Sequence, residues 1–316
     1  MPTITNSETI ETNVADFCFE NRIIPSALII GIQKCGTSTL SEILSQYRGI
    51  TNGNIKEHHF FDNPYQNYNH YIKRFPKCNE NIVRTYDATP NYTNPLSSSP
   101  ENIARFYKHI GLDTKKLIFI AMVCSNARRI PSAFYHEKRN DKFRHYYNST
   151  TTLNDWFKWA FNRHLQNRSS PINIFFDPSP SIFRRGYYDS IFDEYFKLFA
   201  DSAFLFIDSE YAFIEMQKLG DFVANQLNLP PRIIRYVHKD GIWRRWKQKK
   251  NGLVEKLTWF NSKLLNEFYS IHEKRFITLV NLNPNAKTFP ANNFLRTFSW
   301  KTRKQLNGIF LIISLK

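Results

Sequence analysis

A turn between two glycines, close to the N-terminus, has the composition of an anion-binding loop. Residues 31–39 read Gly-Ile-Gln-Lys-Cys-Gly-Thr-Ser-Thr and follow the apolar run Ala27–Ile30. A turn that leads from a buried strand into a helix presents backbone N–H groups and a helix N-terminus to an anion. Residues 37–39 add hydroxyl donors, and Lys34 adds a mobile positive charge. We therefore expect a phosphate or a similar oxyanion to bind here.

The loop departs from the nucleoside-triphosphatase pattern G-x-x-x-x-G-K-[ST] at one position. Gly31 and Gly36 have the required spacing, but Thr37 stands where that pattern has lysine. The lysine of this loop is Lys34, inside the turn. A magnesium-dependent kinase or triphosphatase is thus only a third hypothesis, because Walker-type metal ligands are not found either. If the loop has no function, it is an ordinary connection between a strand and a helix that happens to contain a lysine.

Three further polar segments could carry chemistry. Residues 56–62, Lys-Glu-His-His-Phe-Phe-Asp, contain a carboxylate that could take the proton of an attacking hydroxyl or amine. Residues 86–92, Tyr-Asp-Ala-Thr-Pro-Asn-Tyr, and residues 124–132, Cys-Ser-Asn-Ala-Arg-Arg-Ile-Pro-Ser, each follow a strand-like run. Each of the first two segments also has an interpretation without function. Residues 56–62 could be a solvated glutamate beside aromatic core residues, and residues 86–92 a common Thr-Pro turn.

The densest basic run lies towards the C-terminus. Residues 243–252 read Trp-Arg-Arg-Trp-Lys-Gln-Lys-Lys-Asn-Gly. Cations interleaved with aromatic rings are typical of proteins that bind single-stranded nucleic acid. A solvated charge run has the same composition, so both interpretations stay open at this point.

Alternating strand-like and helix-like stretches must position these segments. Apolar runs predict buried strands at 27–30, 117–123 and 203–207, and a fourth at 82–86. Asp208 and Ser209 are expected to cap the helix after the third strand. Helices are predicted at 37–47, 101–109, 128–138, 153–164, 188–199, 221–227 and 254–268, and loops at 91–100, 140–152, 167–181 and 283–293.

This alternation predicts an α/β fold with a central parallel sheet flanked by helices. Ligands of such sheets bind beyond the carboxyl ends of the strands, which is where the polar segments lie.

The 316 residues are 42% hydrophobic, which suffices for a sizeable core and excludes intrinsic disorder as the main state. A net charge of +16 favours an anionic partner such as nucleic acid, an acidic membrane face, an anionic polymer or a phosphate-rich cofactor.

The chain has four cysteines, Cys18, Cys35, Cys78 and Cys124, with no CxxC pair and no histidine at metal-ligand spacing. We therefore expect neither a zinc site nor a disulfide framework. The first 16 residues are polar and acidic, unlike a signal peptide, and no apolar run approaches the ~20 residues of a membrane helix. These features predict a soluble, cytoplasmic protein.

In their order along the chain, the polar segments resemble those of sulfotransferases that use PAPS (3′-phosphoadenosine 5′-phosphosulfate). Residues 31–40 are similar to the family's 5′-phosphosulfate loop. Residues 56–62 are similar to the Glu-x-His-Phe-Phe-Asp segment of the Golgi carbohydrate enzymes of the heparan sulfate type, and residues 86–92 to their Glu-Lys-Thr-Pro-x-Tyr or Glu-Ala-Ser-Pro-x-Tyr segment. The resemblance runs from about Ala27 to Tyr269.

Residues 124–132 match the family's 3′-phosphate segment, Arg-Asp-Pro-x-x-Arg-x-x-Ser, only in part. Arg129 and Ser132 stand at matching positions, whereas Cys124 replaces the leading arginine. Losing a charge-assisted contact of that kind costs roughly 1.5–3 kcal/mol. Arg128 is our candidate to compensate. The family's mobile Lys-Gly-Arg loop has a loose counterpart in residues 249–252.

The resemblance implies a P-loop-like sulfotransferase that moves a sulfuryl group from PAPS to a hydroxyl or amine of a carbohydrate, glycosaminoglycan-like acceptor, without a metal. It implies that Lys34 stabilises the leaving oxygen, that Glu57 is the base and that His59 assists at the acceptor site. The other acceptor-binding residues that it implies are Asp87, Thr89 and Tyr92. The cofactor-binding residues that it implies are Lys34, Cys35, Gly36, Thr37, Ser38, Thr39, Arg128, Arg129, Ser132, Lys249, Lys250 and Gly252.

The predicted organisation is a poorly defined segment at 1–25, a sulfotransferase domain at 26–283 and a tail of unclear role at 284–316. The expected partner is an anionic carbohydrate, and nucleic acid is not expected. The resemblance implies a Golgi location if the N-terminus is incomplete. The alternative function, motivated by Cys124, is a degenerate, non-catalytic member that binds anionic glycan or nucleic acid through residues 243–250.

Overall fold

The computed structural model describes residues 17–139, 151–166, 179–234 and 255–294, except for 64, 66, 79–81, 83, 292 and 293. The described strands are β1 (Cys18–Phe19), β2 (Arg22–Ile23), β3 (Ala27–Gly31), β4 (Ile50–Thr51), β5 (Arg84–Asp87), β6 (Ile118–Val123), β7 (Ala203–Asp208) and β8 (Ala286–Phe289). The described helices are α1 (Thr37–Leu44), α2 (Tyr68–Ile72), α3 (Ser99–His109), α4 (Asn126–Lys138), α5 (Leu153–Gln166), α6 (Ser179–Arg184), α7 (Tyr188–Leu198), α8 (Ser209–Ala212), α9 (Met216–Gln226) and α10 (Trp259–Leu282).

Six parallel strands form the central sheet, in the order β4-β5-β3-β6-β7-β8. Every residue of β3 and β6 is buried, because helices cover both faces of the sheet. The two short strands β1 and β2 form a separate antiparallel pair. The predicted α/β fold with a helix-flanked parallel sheet is therefore confirmed.

Helix ends follow local capping chemistry. The Asp208 carboxylate accepts hydrogen bonds from the backbone N–H groups of Glu210 and Tyr211, which confirms the predicted cap. Thr258 caps α10 in the same way, and this helix continues to Leu282, well past its predicted end.

A second apolar cluster, which includes Trp156 and Phe183, packs α4, α5, α6 and α10 together beside the main core. None of the helices in the described ranges is long and apolar enough to span a membrane.

The segment 283–293, which we predicted as a loop, contains strand β8, so that prediction was wrong. β8 pairs in parallel with β7, and Phe204 lies opposite Ala286. The sequence Ala-Lys-Thr-Phe lacks an apolar run because β8 is an edge strand, and Lys287 is exposed to solvent. The sheet thus extends past residue 283, where we had placed the end of the domain.

All four cysteines form disulfides, Cys18 with Cys78 and Cys35 with Cys124, which overturns our prediction of no disulfide framework. The partners are 60 and 89 residues apart in sequence. The fold brings their Cα atoms to 5.9 and 5.4 Å, because β1 lies beside Cys78 and the loop after β3 lies beside the end of β6. Spacing along the chain carries no signal for such long-range pairs.

Removal of the bond between Cys35 and Cys124 by Ser substitution of both residues is expected to lower the free energy of unfolding by about 2–4 kcal/mol. The cross-link closes a long loop, so its loss restores conformational entropy to the unfolded chain. Urea unfolding monitored by circular dichroism measures the change. An unfolding midpoint equal to that of the wild type would contradict this expectation.

Candidate active site

The predicted anion-binding loop leads from β3 into α1, at the carboxyl end of the sheet. The N–H groups of Thr39 and Leu40 both donate to the Gly36 carbonyl, at 3.0 and 3.2 Å, so α1 begins directly after the loop. The first N–H groups of a helix have no partner within it and are available to an anion. Gly36 adopts φ +104° and Lys34 φ +72°, which turns the chain sharply at both positions.

Gly36 is also required by space, because an added Cβ would lie 2.3 Å from the ring of Phe213. The same ring lies under the Arg128 guanidinium, whose carbon is 5.4 Å from the ring centroid. Phe213, which sequence reasoning missed, therefore places Arg128 beside the phosphate loop. It follows β7 and α8, so the sheet brings it to this edge.

Lys34 lies among charged side chains from several elements. Burial lowers the pKa of its ammonium group, as does the positive charge of Arg139. The carboxylates of Glu137 and Glu57 act in the opposite direction and favour the charged form. Lys34 and Glu57, the two residues expected to carry the chemistry, are therefore close enough to influence each other.

Glu57, His59 and Asp62 form a connected group in the turn after β4. The His59 imidazole contacts both carboxylates, with Nδ1 2.8 Å from Asp62 Oδ2 and Nε2 3.5 Å from Glu57 Oε2. Glu57 also pairs with Lys56 at 2.5 Å. Contacts with Asp62 and then Glu57 raise the pKa of His59 to about 10, so the ring is an imidazolium at neutral pH.

Burial tends to raise the pKa of Glu57, but hydrogen bonds from His59 and Lys56 outweigh it and lower that pKa to about 2. The carboxylate is therefore ionised throughout the neutral range. Both side chains remain accessible, with Glu57 39% and His59 52% exposed. The structure thus brings together the predicted base and its predicted acceptor-site partner, on the surface.

The group continues into two residues that sequence reasoning did not assign. Asn91 Nδ2 donates to Asp62 Oδ2, and Asn91 Oδ1 accepts from Arg185 Nη2 at 2.6 Å. Asn91 belongs to the predicted segment 86–92, so its position was a usable signal. Arg185 follows α6 after a long stretch without a motif, and the sequence analysis found no signal for it.

Asp87, Thr89 and Tyr92, which we predicted to bind the acceptor, are at most 1% exposed. Their polar atoms bond to one another, since Thr89 Oγ1 and Tyr92 Oη both donate to the Asp87 carboxylate at 2.6 Å. Thr89 Oγ1 in turn accepts from the His58 N–H at 3.0 Å. This network lies beneath the Glu57 segment and holds its backbone, which corrects the assignment from acceptor contact to support.

The predicted 3′-phosphate segment is only partly available to a ligand. Arg129 is completely buried and donates to Asn126 Oδ1 at 3.0 Å and to the Ile182 carbonyl at 2.6 Å, so it joins α4 to α6. This corrects its assignment to the cofactor. Arg128 and Ser132 are half-buried and one helical turn apart on α4. The basic residues Lys249 and Lys250, and Gly252, lie outside the described residues.

Cys124 is buried in its disulfide with Cys35, which belongs to the phosphate loop. The position at which the resemblance implies an arginine therefore carries no charge. The bond instead ties the loop after β3 to the end of β6. The Cys35 side chain is occupied by this bond, so only its backbone could contact a cofactor.

No group of histidine, cysteine or carboxylate side chains with the arrangement of a metal site occurs among the residues that the structure describes.

Comparison with known proteins shows the family and the fold. A model of the sulfotransferase domain matches residues 25–218, which include the phosphate loop, the Glu57 segment and Arg185. The fold is similar to the crystal structure of a sulfotransferase from Alicyclobacillus acidocaldarius, with a TM-score of 0.59 and 16% sequence identity over 82% of this chain and 96% of that one. No curated protein matches the chain in sequence. Because the domain match covers most of the chain, this protein belongs to the sulfotransferase family.

Proposed function

We propose that the protein transfers the sulfuryl group of PAPS to a hydroxyl or amine of an anionic carbohydrate. The observation that carries the proposal is that Lys34 and Glu57 follow β3 and β4, two strands of the same parallel sheet, at its carboxyl end, where their charges influence each other. One is a cation in an anion-binding loop, and the other is an ionised, accessible carboxylate. Sulfuryl transfer requires such a pair, because negative charge leaves on one side and a proton leaves on the other.

The described residues fit a nucleotide with a 5′-phosphosulfate. The N-terminus of α1 and the backbone of residues 35–39 suit the 5′-group, and the absence of a Cβ at Gly36 lets the loop pack closely on Phe213. Arg128 and Ser132 are the remaining described candidates for the 3′-phosphate. When bound there, PAPS would supply the sulfuryl group.

Each catalytic side chain then has one role. Glu57 accepts the proton of the acceptor hydroxyl or amine while the acceptor oxygen or nitrogen forms its bond to sulfur. Lys34 neutralises the charge that develops on the bridging oxygen as the bond between sulfur and that oxygen breaks. His59 and Lys56 keep Glu57 ionised and oriented. The chemistry of these residues requires no metal ion.

The acceptor class is inferred from charge. The chain has a net charge of +16, and the exposed His59 imidazolium lies next to the proposed base. Basic clefts raise the local concentration of anionic ligands. A carbohydrate that carries carboxylate or sulfate groups would suit this surface.

Calorimetric titration with PAP, the desulfated cofactor product, and with ATP–magnesium tests the nucleotide. We expect micromolar binding of PAP and none of ATP–magnesium. Transfer of ³⁵S from labelled PAPS to a panel of sulfated, carboxylated and neutral glycans then tests the reaction and the acceptor. No binding at millimolar PAP would contradict the proposal.

The buried, uncharged Cys124 favours a second candidate function, a degenerate member that binds anionic glycan without turnover. This candidate predicts retention on a heparin column together with no PAP binding and no ³⁵S transfer.

We also propose that the protein works in an oxidising compartment, such as the secretory lumen that includes the Golgi. Disulfides persist in such compartments and are rare in the cytosol, and this chain has two of them. Alkylation under denaturing conditions, applied to protein from its own cells before any reduction, should find no free thiol, because denaturation exposes the buried Cys35 and Cys124. Four reactive thiols in the untreated protein would contradict this location.

Gly36→Ala is expected to weaken PAP binding by about tenfold or more, since a Cβ would force Phe213 and the loop apart and a positive φ would add strain of roughly 1–3 kcal/mol. Gly111→Ala is the matched control, because Gly111 has φ +70° but open space around the site of a Cβ. Calorimetry compares the two variants. Equal PAP affinities for both would show that the close approach at Gly36 is unimportant.

A further inference from the structure

Arg185 is a buried cation beside the proposed site, and some of its N–H groups have no hydrogen-bond partner among the described residues. Its side chain lies after α6, and the residue is 8% exposed. Nη2 donates to Asn91 Oδ1 at 2.6 Å, whereas Nε and Nη1 are buried and have no hydrogen-bond partner among the residues that the structure describes. Burial lowers the pKa of Arg185 to about 10, with Glu137 and Asp62 acting against that shift, so the guanidinium is charged at neutral pH.

A continuous series of polar contacts connects this guanidinium to the proposed base. From Arg185 Nη2 it passes through the Asn91 amide to Asp62 Oδ2. From there it passes through the His59 ring, at 2.8 Å from Asp62 Oδ2, to Glu57 Oε2 at 3.5 Å. Five side chains from three separate segments of the sequence form one array.

Arg185 fixes the orientation of the Asn91 amide, and the carboxylates fix the direction of the remaining contacts. A guanidinium only donates hydrogen bonds, so the Asn91 amide must turn its oxygen to Arg185 and its NH₂ group to Asp62. Asp62 Oδ2 then accepts from both Asn91 Nδ2 and His59 Nδ1. With Nδ1–H directed to Asp62, the remaining N–H of the imidazolium is directed to Glu57.

The position of the Asp62 carboxylate depends on its hydrogen bond with Asn91. Its other oxygen, Oδ1, is buried without a partner among the described residues, so the contacts of Oδ2 hold the carboxylate. Without Asn91, the Asp62 carboxylate would keep only His59 as a hydrogen-bond partner among the described residues, and we expect it to be held less firmly against the ring. The contact that contributes most to the raised pKa of the imidazole would then weaken.

We propose that Arg185 is a positioning residue that orients Asn91, and through Asp62 and His59 holds the Glu57 carboxylate in place for proton transfer. The proposal rests on the proposed function only in taking Glu57 as the base. Arg185 itself need not contact acceptor or cofactor.

A double-mutant cycle tests this coupling. Arg185→Met and Asn91→Leu each remove one member of the array, and each is expected to lower kcat about 10- to 100-fold, with PAP affinity unchanged. The variant with both substitutions should be no slower than the slower single variant, because both act through the same contact. Arg184→Met, which removes a neighbouring arginine outside the array, is the control and should leave kcat unchanged. Multiplicative losses in the double variant would overturn the proposal.

The imidazole of His59 gives a second readout that needs no turnover. Titration of labelled histidine by NMR, assigned with His59→Gln, should give a pKa of about 10 in the wild type and a value closer to the usual 6.5 in Arg185→Met and in Asn91→Leu. An unchanged His59 pKa in folded variants would also overturn the proposal. If Arg185→Met fails to fold, Arg185→Lys, which keeps the positive charge but not the planar guanidinium, replaces it in both measurements. If no acceptor is ever sulfated, the proposed function fails while this titration still tests the coupling.

Discussion

Glu57→Gln is expected to reduce kcat for sulfuryl transfer by about 10²- to 10⁴-fold and to leave PAP affinity unchanged. The amide keeps the size of the side chain and its oxygen still accepts hydrogen bonds, but it cannot take the acceptor's proton. ³⁵S transfer from PAPS under saturating acceptor measures the loss. Glu215→Gln, on the exposed turn before α9, is a matched control and should retain full activity.

The pH dependence of the wild type and of His59→Gln sharpens this expectation. Burial tends to raise the pKa of Glu57, but contacts with His59 and Lys56 lower it to about 2, so protonation of this carboxylate should not limit activity above about pH 3. Removing His59 removes a main cause of the lowering, and the acid limb of kcat/KM should therefore move to higher pH. A limb that stays in place would show that Glu57 is not the group that must be ionised.

Lys34→Met is expected to lower kcat/KM by about 10²- to 10³-fold and to weaken PAP binding to the point where calorimetry no longer detects it at micromolar concentrations. Lys34 is the only lysine in the phosphate loop at residues 31–39. Methionine keeps a long, unbranched side chain but removes the ammonium group. Lys218→Met, an exposed lysine on α9 that pairs with Glu215 at 3.3 Å, is the control.

The alkaline limb of the pH–activity profile gives an independent test of the proposed role of Lys34. Burial, followed by the charge of Arg139, lowers its pKa below the usual 10.5, so activity should fall as pH rises through a value below 10.5. Neutralising Arg139 by Arg139→Gln removes one cause of the lowering and should shift this limb upward. Wild-type affinity for PAP in Lys34→Met would place the anion-binding site elsewhere.

The disulfide at Cys124 changes how this phosphate loop is held. Where the resemblance implies an arginine at the end of β6, this chain has a covalent bond to the loop itself. The position therefore constrains the loop and carries no charge. The Arg128 guanidinium lies over the Phe213 ring, which also packs against Gly36, so Arg128 remains our candidate to replace the missing charge.

The order of the local motifs was enough to determine the fold class. Buried parallel strands are uninterrupted apolar runs, and the runs at 27–30, 117–123 and 203–207 lie within 1 residue of β3, β6 and β7. Lys34 and Gly36 were singled out for the same reason, since polar segments directly after such strands must meet at the carboxyl edge of the sheet. Glu57 follows the two-residue strand β4, which has no apolar run, and only the family resemblance indicated it.

Only the tertiary structure decided the features that depend on contacts distant in sequence. The pairing of Cys35 with Cys124 arises because β3 and β6 are neighbours in the sheet. Edge strand β8 has no apolar run, because part of it faces solvent. Arg129 matched a family position and yet lies in the core, because position on a helix face, which a motif does not record, decides burial. The link from Arg185 to Asn91 spans 94 residues, and no local pattern in the sequence could indicate it.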